Sequence, residues 1–318
     1  MVDNAQQGDH LKSITIQKNI ERNAMKILVS GASGLVGRAV VRSLSAKGHQ
    51  VLSLRRKSTQ APYWDIDRKI SELGSEKDID VIIHLAGESV AEGRWTSARK
   101  ERIFQSRVQG TQLLSEFFSA AAYTPKLMIS ASAVGFYGER GDEELNETSE
   151  KGVGFLSDVA EAWEEACKPA TVAGIRVANI RFGMVLSTEG GGLAKMLPPF
   201  KLGLGGTIGD GRQYMSWISI YDAVDIIDYI IHKESLRGAI NLVAPDSVTN
   251  RRFTKILGKV LRRPALIPVP KFLLSFFFGE MARELLFSSA KVHPDKLIRS
   301  GYSFLEPDIE TAFRNLLD

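Results

Sequence analysis

Residues 26–37 read KILVSGASGLVG, and this stretch predicts the architecture of the chain. Its first five residues form a short apolar run that ends at a glycine, which is typical of a buried strand. Apolar residues at helical spacing follow from Leu35 to Lys47. A strand, a glycine-rich turn and a helix in this order are the context in which spaced glycines indicate a dinucleotide-binding loop.

Each glycine of this loop has its own physical role. Gly31 permits a sharp turn, Gly34 lets the backbone approach a pyrophosphate, and Gly37 lets the helix pack close to the strand. The amides and the dipole of the helix N-terminus then hold the negative phosphates. An ordinary glycine-rich turn between strand and helix is the alternative. The predicted cofactor contacts of the loop are Gly31, Ser33, Gly34, Leu35, Val36 and Gly37.

Strands and helices alternate along the first two thirds of the chain. Such alternation predicts right-handed crossovers and a parallel sheet, hence an α/β fold. Both faces of a parallel sheet are covered, which explains why the strands are apolar without alternation. Beyond residue 26–30, strands are predicted at 50–54, 80–85, 126–130, 175–181 and 239–243, and helical stretches near 95–121 and 155–172.

The second predicted strand ends in the basic sequence Arg55-Arg56-Lys57. A fold that binds NAD usually places an acidic residue about 20 residues beyond the glycines, where it binds the ribose hydroxyls. Arginine suits a 2′-phosphate instead, because its fork donates two parallel hydrogen bonds. The sequence therefore favours NADP(H) over NAD(H), with Arg55, Arg56 and the Ser33 hydroxyl as contacts. A solvated basic loop is the alternative.

The composition of the chain limits the kinds of ligand and partner that it is expected to bind. The net charge of +4, from 41 basic and 37 acidic residues, is too small and too scattered to suggest nucleic acid binding. The single cysteine, Cys167, allows no intrachain disulfide, and the five histidines are too widely spaced in sequence to predict a metal site. We therefore expect no metal and a small-molecule substrate.

No secretory signal is visible near the start of the chain, and no segment reaches the ~20 apolar residues that span a bilayer. The sequence therefore predicts a cytoplasmic protein without a membrane partner. The most apolar stretch, residues 272–278, is too short to span and is interpreted as a buried or interface helix.

The glycine spacing, taken with His84-Leu85-Ala86-Gly87, resembles the extended short-chain dehydrogenase/reductase superfamily. Further motifs resemble one atypical subgroup, the "epimerase family" of NAD(P)-dependent nucleotide-sugar-epimerase-like proteins, over roughly residues 25–318. These motifs lie at residues 94–96, 100, 106–107, 132–138, 181–186, 190–195, 198–200, 203–211, 216–218, 221–222, 268–270, 279–280 and 292–294.

The resemblance implies a Rossmann-type doubly wound parallel sheet with a smaller, interleaved C-terminal substrate region. It divides the chain into an N-terminal extension (1–24), an NAD(P)-binding domain (25–183), and a substrate-binding region with a C-terminal helical module (184–318). It implies cofactor contacts from Arg55, from Leu85, Ala86 and Gly87, and from Arg107, which lies where an asparagine commonly sits. It also places Ser132 at the catalytic serine position.

One part of the family's chemistry is missing. Typical members carry a Tyr-x-x-x-Lys pair on the helix after the serine strand, and here Phe155 and Val159 take those positions. Bringing a free tyrosine from a pKa of about 10 to near 7 takes about 4 kcal/mol, which a neighbouring cation can supply. Without such a cation, the remaining candidate, Tyr137, stays protonated and serves either as a hydrogen-bond donor in catalysis or as a packing group.

The cofactor loop is present while the Tyr-x-x-x-Lys pair is absent, and two functions fit this combination. The first is an NADP(H)-dependent oxidoreductase or epimerase acting on a nucleotide-sugar-like or other carbonyl or hydroxyl substrate, with Ser132 and Tyr137 as catalytic candidates. The second is a catalytically weak NADP(H)-binding protein with a regulatory or redox-sensing role. A homodimer through the helices near 95–121 and 155–172 is the expected assembly, although their apolar faces fit a core equally well.

Overall fold

The computed structural model of the protein describes residues 24–56, 60–74 and 76–318. The predicted extension over residues 1–24 lies outside the described residues except for Ala24, so it stays a prediction. The strands are β1 (Lys26–Ser30), β2 (Gln50–Arg56), β3 (Tyr63–Asp65), β4 (Ile70–Glu72), β5 (Val81–His84), β6 (Leu127–Ala133), β7 (Glu144–Leu145), β8 (Arg176–Phe182), β9 (Met184–Leu186), β10 (Tyr214–Met215), β11 (Trp217–Ser219), β12 (Gly238–Leu242), β13 (Val248–Thr249) and β14 (Lys291–Val292).

Within the described residues, eight strands form one sheet in the order β12-β8-β6-β5-β1-β2-β3-β4. Neighbouring strands run parallel from β12 to β3, and β4 is added antiparallel at the edge. Strand order runs in opposite directions on the two sides of β1. The carboxyl ends of β1 and β5 therefore form the switch point at which open α/β sheets bind ligands.

Helices cover both faces of this sheet, as predicted for a doubly wound fold. Ile27 and Val29 of β1 join one hydrophobic cluster, and Leu28 between them joins another on the opposite face. The helices are α1 (Leu35–Ala46), α2 (Ser97–Ser119), α3 (Phe155–Glu165), α4 (Lys168–Val172), α5 (Gly191–Lys201), α6 (Ile220–His232), α7 (Asn250–Leu261), α8 (Lys271–Phe278), α9 (Asp295–Ser300) and α10 (Ile309–Leu317), with a 3-10 turn at Val134–Tyr137 and a π-helical turn at Ala282–Phe287.

The predicted helical stretch near 155–172 is interrupted. It divides into α3 and α4, with Cys167 between them and Pro169 in the first turn of α4. Proline fits a first helical turn because its missing N–H needs no partner there. Both helices pack against α2 within the same chain. The apolar faces of these helices therefore contribute to the core, and the homodimer stays a prediction.

The C-terminal part is interleaved with the dinucleotide fold. Strand β12 pairs with β8 in the main sheet, and α6 packs against α1. The sheet therefore draws on both sides of the predicted boundary at residue 183. Helix α8 is the other notable element, because none of its residues is buried. The buried alternative for residues 272–278 is wrong. Among the described residues, no helix is both long and apolar enough to cross a bilayer.

Candidate cofactor and substrate site

Two glycines of the loop, Gly31 and Gly37, leave no room for a side chain. Gly31 has a φ of 71°, and a Cβ there would lie 2.7 Å from the carbonyl carbon of Leu85. A Cβ at Gly37 would lie 2.1 Å from the carbonyl oxygen of Gly31. The Gly34 amide donates to that same oxygen at 2.9 Å, which closes the turn. These close approaches are the roles that the sequence predicted for the first and third glycines.

Helix α1 begins at this loop with its amides available. Gly34 is the N-cap, and no described side chain accepts a hydrogen bond from the first turn. Helix N-termini without a cap leave donors that an anion can satisfy. One cation here was missed by the sequence analysis: Arg38 donates from Nη1 to the Ser33 carbonyl oxygen at 2.8 Å. Its position directly after Gly37 was the available signal.

Two further cations lie at the same edge of the sheet. Arg55 and Arg56 are exposed at the carboxyl end of β2, which pairs in parallel with β1. Arg55 donates from Nη1 to the Gln60 amide oxygen at 3.2 Å. Because carboxyl ends of parallel neighbours share one edge, the predicted 2′-phosphate contacts lie on the loop side of the sheet. Lys57 is outside the described residues.

A partly buried cation, Arg107, lies behind residues 85–87, the third predicted contact segment. A Cβ at Gly87 would lie 3.3 Å from the guanidinium carbon of Arg107, which stands 5.0 Å from the ring centroid of Trp163. Burial lowers the pKa of Arg107 to about 10, and the charge of Glu88 opposes that shift. Arg107 is therefore still a cation at neutral pH, and it lies directly against the end of β5.

The two predicted catalytic residues belong to a buried network. The Ser132 hydroxyl donates to Glu164 Oε1 at 2.7 Å, and Arg181 donates from Nε and Nη2 to the two oxygens of Glu164 at 2.7 and 2.8 Å. Arg181 also stacks on Phe136, with its guanidinium carbon 3.5 Å from the ring centroid. Sequence analysis missed Glu164 because it lies five residues after Val159 on α3, beyond the two positions that the family motif marks.

Tyr137 closes the same network. Its hydroxyl donates to Asn241 Oδ1 at 2.7 Å and accepts from Arg181 Nη1 at 2.9 Å, and its side chain is fully buried. Burial raises the pKa of Tyr137 above its ordinary value, against the opposing effect of Arg181. A protonated hydroxyl saturated by protein partners is a poor base. This environment counts against a catalytic role for Tyr137 and favours the packing alternative.

At the position of the family tyrosine, the structure places an aromatic cage. The Phe155 ring meets Trp95 edge-on at 5.2 Å, and the Lys100 ammonium stands 4.4 Å from the Phe155 ring centroid. Lys100 is also paired with Glu280 at 2.8 Å. The amides of Phe155 and Leu156 donate to the two carboxylate oxygens of Glu284 at 2.9 and 2.8 Å. Glu284 thus caps α3 and ties the C-terminal region to this site.

The structure also brings together three groups of a kind that can ligate metals. His49, Asp228 and His232 lie with ligand atoms within 4.8 Å of one another, on the side of the sheet away from the glycine loop. Their wide spacing in sequence hid this arrangement. The Asp228 carboxylate is already neutralised by the Lys47 ammonium at 2.7 Å, and the Met25 amide donates to His49 Nδ1 at 3.2 Å. These contacts account for the cluster without an ion.

Comparison with known proteins agrees with this geometry. The sequence pattern of the NAD dependent epimerase/dehydratase family matches residues 27–242, and a domain of unknown function, DUF1731, matches residues 269–316. The chain belongs to the NAD dependent epimerase/dehydratase family. The resemblance inferred from the motifs is therefore confirmed, including its C-terminal module.

Relatives match over nearly the full chain. The epimerase family protein YfhF of Bacillus subtilis is 36% identical, over 92% of this chain and 98% of the relative. The epimerase family protein SDR39U1 of Mus musculus is 35% identical, over 92% and 100%. The crystal structure of human SDR39U1 (isoform 2) with NADPH has a TM-score of 0.85 and 31% identity, over 92% of this chain and 99% of that one.

Enzymes of the wider fold are more distant. The UDP-glucuronic acid 4-epimerase of Bacillus cereus, solved with NAD, has a TM-score of 0.69 at 16% identity, which shows the fold alone. The chain therefore has the NAD(P)-binding fold of its family, and the glycine cradle described above fits a dinucleotide.

Proposed function

We propose that this chain binds NADP(H) and acts as an oxidoreductase or epimerase on a small substrate that carries a carbonyl or hydroxyl group. The observation that carries the proposal is the cradle at Gly31–Gly37, bordered by the cations Arg38 and Arg55. The NADPH bound to the human relative supports the same choice of cofactor. When bound, the nicotinamide supplies reversible hydride transfer.

In this proposal, different residues of the chain bind different parts of the cofactor. The uncapped N-terminus of α1 holds the pyrophosphate, because its free amides and dipole favour negative charge. Arg55 and Arg56 hold the 2′-phosphate through guanidinium hydrogen bonds. Arg107 of α2 adds a partly buried positive charge against Gly87, in the segment that follows β5.

Proton transfer in this proposal falls to Lys100. The phenol of the family motif is replaced by the ring of Phe155, and the Lys100 ammonium group stands over that ring. The ion pair with Glu280 holds the Lys100 ammonium group in place. Trp95 and Phe155 form an apolar wall on one side of this ammonium group.

A second candidate is an NADP(H)-binding protein with a regulatory or redox-sensing role and little turnover. The observation that favours it is the burial of Ser132 and Tyr137 in the network of Arg181 and Glu164. A panel of carbonyl compounds and sugar nucleotides, assayed for NADPH oxidation and epimerisation, separates the two. Tight NADPH binding without turnover on any member of the panel selects the second candidate.

Cofactor choice is tested by titrating NADPH and NADH into the full chain. Arg55→Glu is expected to weaken NADPH binding by at least about tenfold, because an arginine–phosphate contact becomes a repulsion, and to leave NADH binding nearly unchanged. Arg42→Glu, one turn beyond Arg38 on the exposed side of α1, is the control for long-range charge. Equal losses for both cofactors would contradict the 2′-phosphate assignment.

A further inference from the structure

Helix α8 presents a large apolar surface to solvent. Phe272 and Phe276 are each 75% exposed, and Leu273 and Phe277 are also exposed. Residues four apart lie on the same side of a helix, so these side chains form two adjacent apolar rows. We call Phe272, Leu273, Phe276 and Phe277 the apolar ridge. Single exposed apolar residues are ordinary, whereas a cluster of this kind indicates an interaction surface.

The ridge continues onto neighbouring segments. Leu266 is 83% exposed, and Ile267 beside it is also exposed. The Ile267 amide donates to the Gly205 carbonyl oxygen at 3.2 Å, which joins this segment to the loop after α5. That loop presents Leu202 and Leu204, both exposed. Exposed apolar residues thus lie on three segments: backbone hydrogen bonds join the segment of Leu266 and Ile267 to the loop after α5, and α8 follows that segment in the chain.

Positive charge surrounds this surface. Residues 251–279 contain seven basic residues and no acidic residue, and two of the seven, Arg252 and Lys259, form ion pairs with Asp246 and Glu310. Arg262 and Arg263 precede Leu266 in the chain, and among the described residues neither side chain has an acidic partner. Lys271 begins α8, and Lys201 directly precedes Leu202. Among the described residues, Arg262, Arg263 and Lys201 form no ion pair and lie beside two of the exposed apolar segments, while Lys271 at the start of α8 interacts with the charge of Asp210.

We propose that the apolar ridge and these flanking cations dock onto an anionic lipid bilayer surface. Apolar side chains buried at the headgroup boundary and cations facing anionic headgroups are the two components of interfacial binding. Two other partners for the apolar ridge, a second copy of the chain and a nucleic acid, fit it less well. A second copy of the chain would set one cationic rim against another, which is repulsive. A nucleic acid would neutralise the cations but offer no apolar medium for the leucines and phenylalanines.

This proposal departs from the sequence expectation of no membrane partner, and it is independent of cofactor binding. It also links the surface to the site described above. Gly279 at the end of α8 lies against the Arg94 guanidinium, and Glu280 follows it as the partner of Lys100. Docking would bring the cage of Phe155 and Lys100 close to the bilayer.

The test is vesicle flotation of the full chain without cofactor. Phosphatidylcholine vesicles containing 30% phosphatidylglycerol are compared with pure phosphatidylcholine, at low and high salt. We expect recovery with anionic vesicles only, decreasing as salt screens the charges. Phe272→Ser with Phe276→Ser, and separately Arg262→Glu with Arg263→Glu, should each lower the bound-to-free ratio by at least about tenfold.

Matched controls are available on α4, where Val172 is an exposed apolar residue and Lys168 an exposed cation. Val172→Ser and Lys168→Glu should leave flotation unchanged, and thermal melting confirms that all variants fold. Recovery equal with neutral vesicles, or unaffected by the ridge substitutions, would overturn the proposal. Two results without flotation would also overturn the proposal. The first is a dimer in light scattering that the phenylalanine substitutions abolish, and the second is retention of the chain on duplex DNA.

Discussion

Arg181 and Glu164 form a bidentate ion pair between β8 and α3, with the two side chains only 5% and 14% exposed. The pair also receives the Ser132 hydroxyl and positions Arg181 against Tyr137. A buried charge without its partner is costly, while the pair as a whole contributes little beyond what an apolar replacement would. The function of this pair is therefore to organise the end of β6, where the family keeps its catalytic serine.

Removing one partner of this pair should be strongly destabilising. We expect Glu164→Gln to lower the free energy of unfolding by about 3 kcal/mol, because it leaves the Arg181 charge buried without compensation. Chemical denaturation measures the loss, and the double variant with Arg181→Met should lose less than the sum of the single variants. Additive losses would show that the two residues act independently.

Alanine substitutions at two glycines of the Gly31–Gly37 loop should have different effects. Gly37→Ala should destabilise the fold by about 3 kcal/mol, because its Cβ overlaps the Gly31 carbonyl. Gly34→Ala meets that oxygen only at 3.2 Å, and its φ of −73° suits any residue. We expect it to keep the melting temperature and to weaken NADPH binding by at least about tenfold, since its methyl lies where the pyrophosphate approaches. Thermal melting and cofactor titration separate the two effects.

The burial of His84 predicts how the stability of the fold depends on pH. It is fully buried, its Nδ1 lies 2.5 Å from the Ser30 hydroxyl, and burial lowers its pKa from 6.5 to about 4. The unfolded chain then binds the proton more readily than the folded one. The stability that His84 provides is therefore intact above pH 6.5 and is lost as the pH falls towards 4, by about 3 kcal/mol.

His84→Gln should flatten the dependence of unfolding free energy on pH between 6.5 and 4. Denaturation curves across this range provide the measurement. An identical slope in His84→Gln and the parent chain would show that other groups cause the acid sensitivity.

The proposed roles of Lys100 and Tyr137 differ in a turnover assay. Lys100→Met should lower kcat by at least about 100-fold, because general acid catalysis contributes on that scale. Tyr137→Phe should keep kcat within about threefold and cost about 1 kcal/mol of stability, since Arg181 and Asn241 each lose a hydrogen bond. Loss of turnover in a folded Tyr137→Phe variant would restore the catalytic interpretation of that residue.

Much of the fold could be predicted from local patterns. The strands near 26–30, 50–54 and 80–85 appear close to their predicted bounds, because buried parallel strands are continuous apolar runs. The prediction of one helix over 155–172 missed the break at Cys167, because apolar spacing continues through it. The prediction of burial for 272–278 failed for a different reason. Apolar composition alone does not tell which face of a helix finds a partner.

The sequence by itself determined the dinucleotide loop, its basic neighbour at Arg55 and the family, because these depend on residue type at fixed local spacing. Only the tertiary structure decided which groups Ser132 and Tyr137 form hydrogen bonds with. Their partners, Glu164, Arg181 and Asn241, come from a helix and from two other strands of the sheet. Hydrogen bonding and burial at that distance depend on how the elements pack, which no spacing along the chain records.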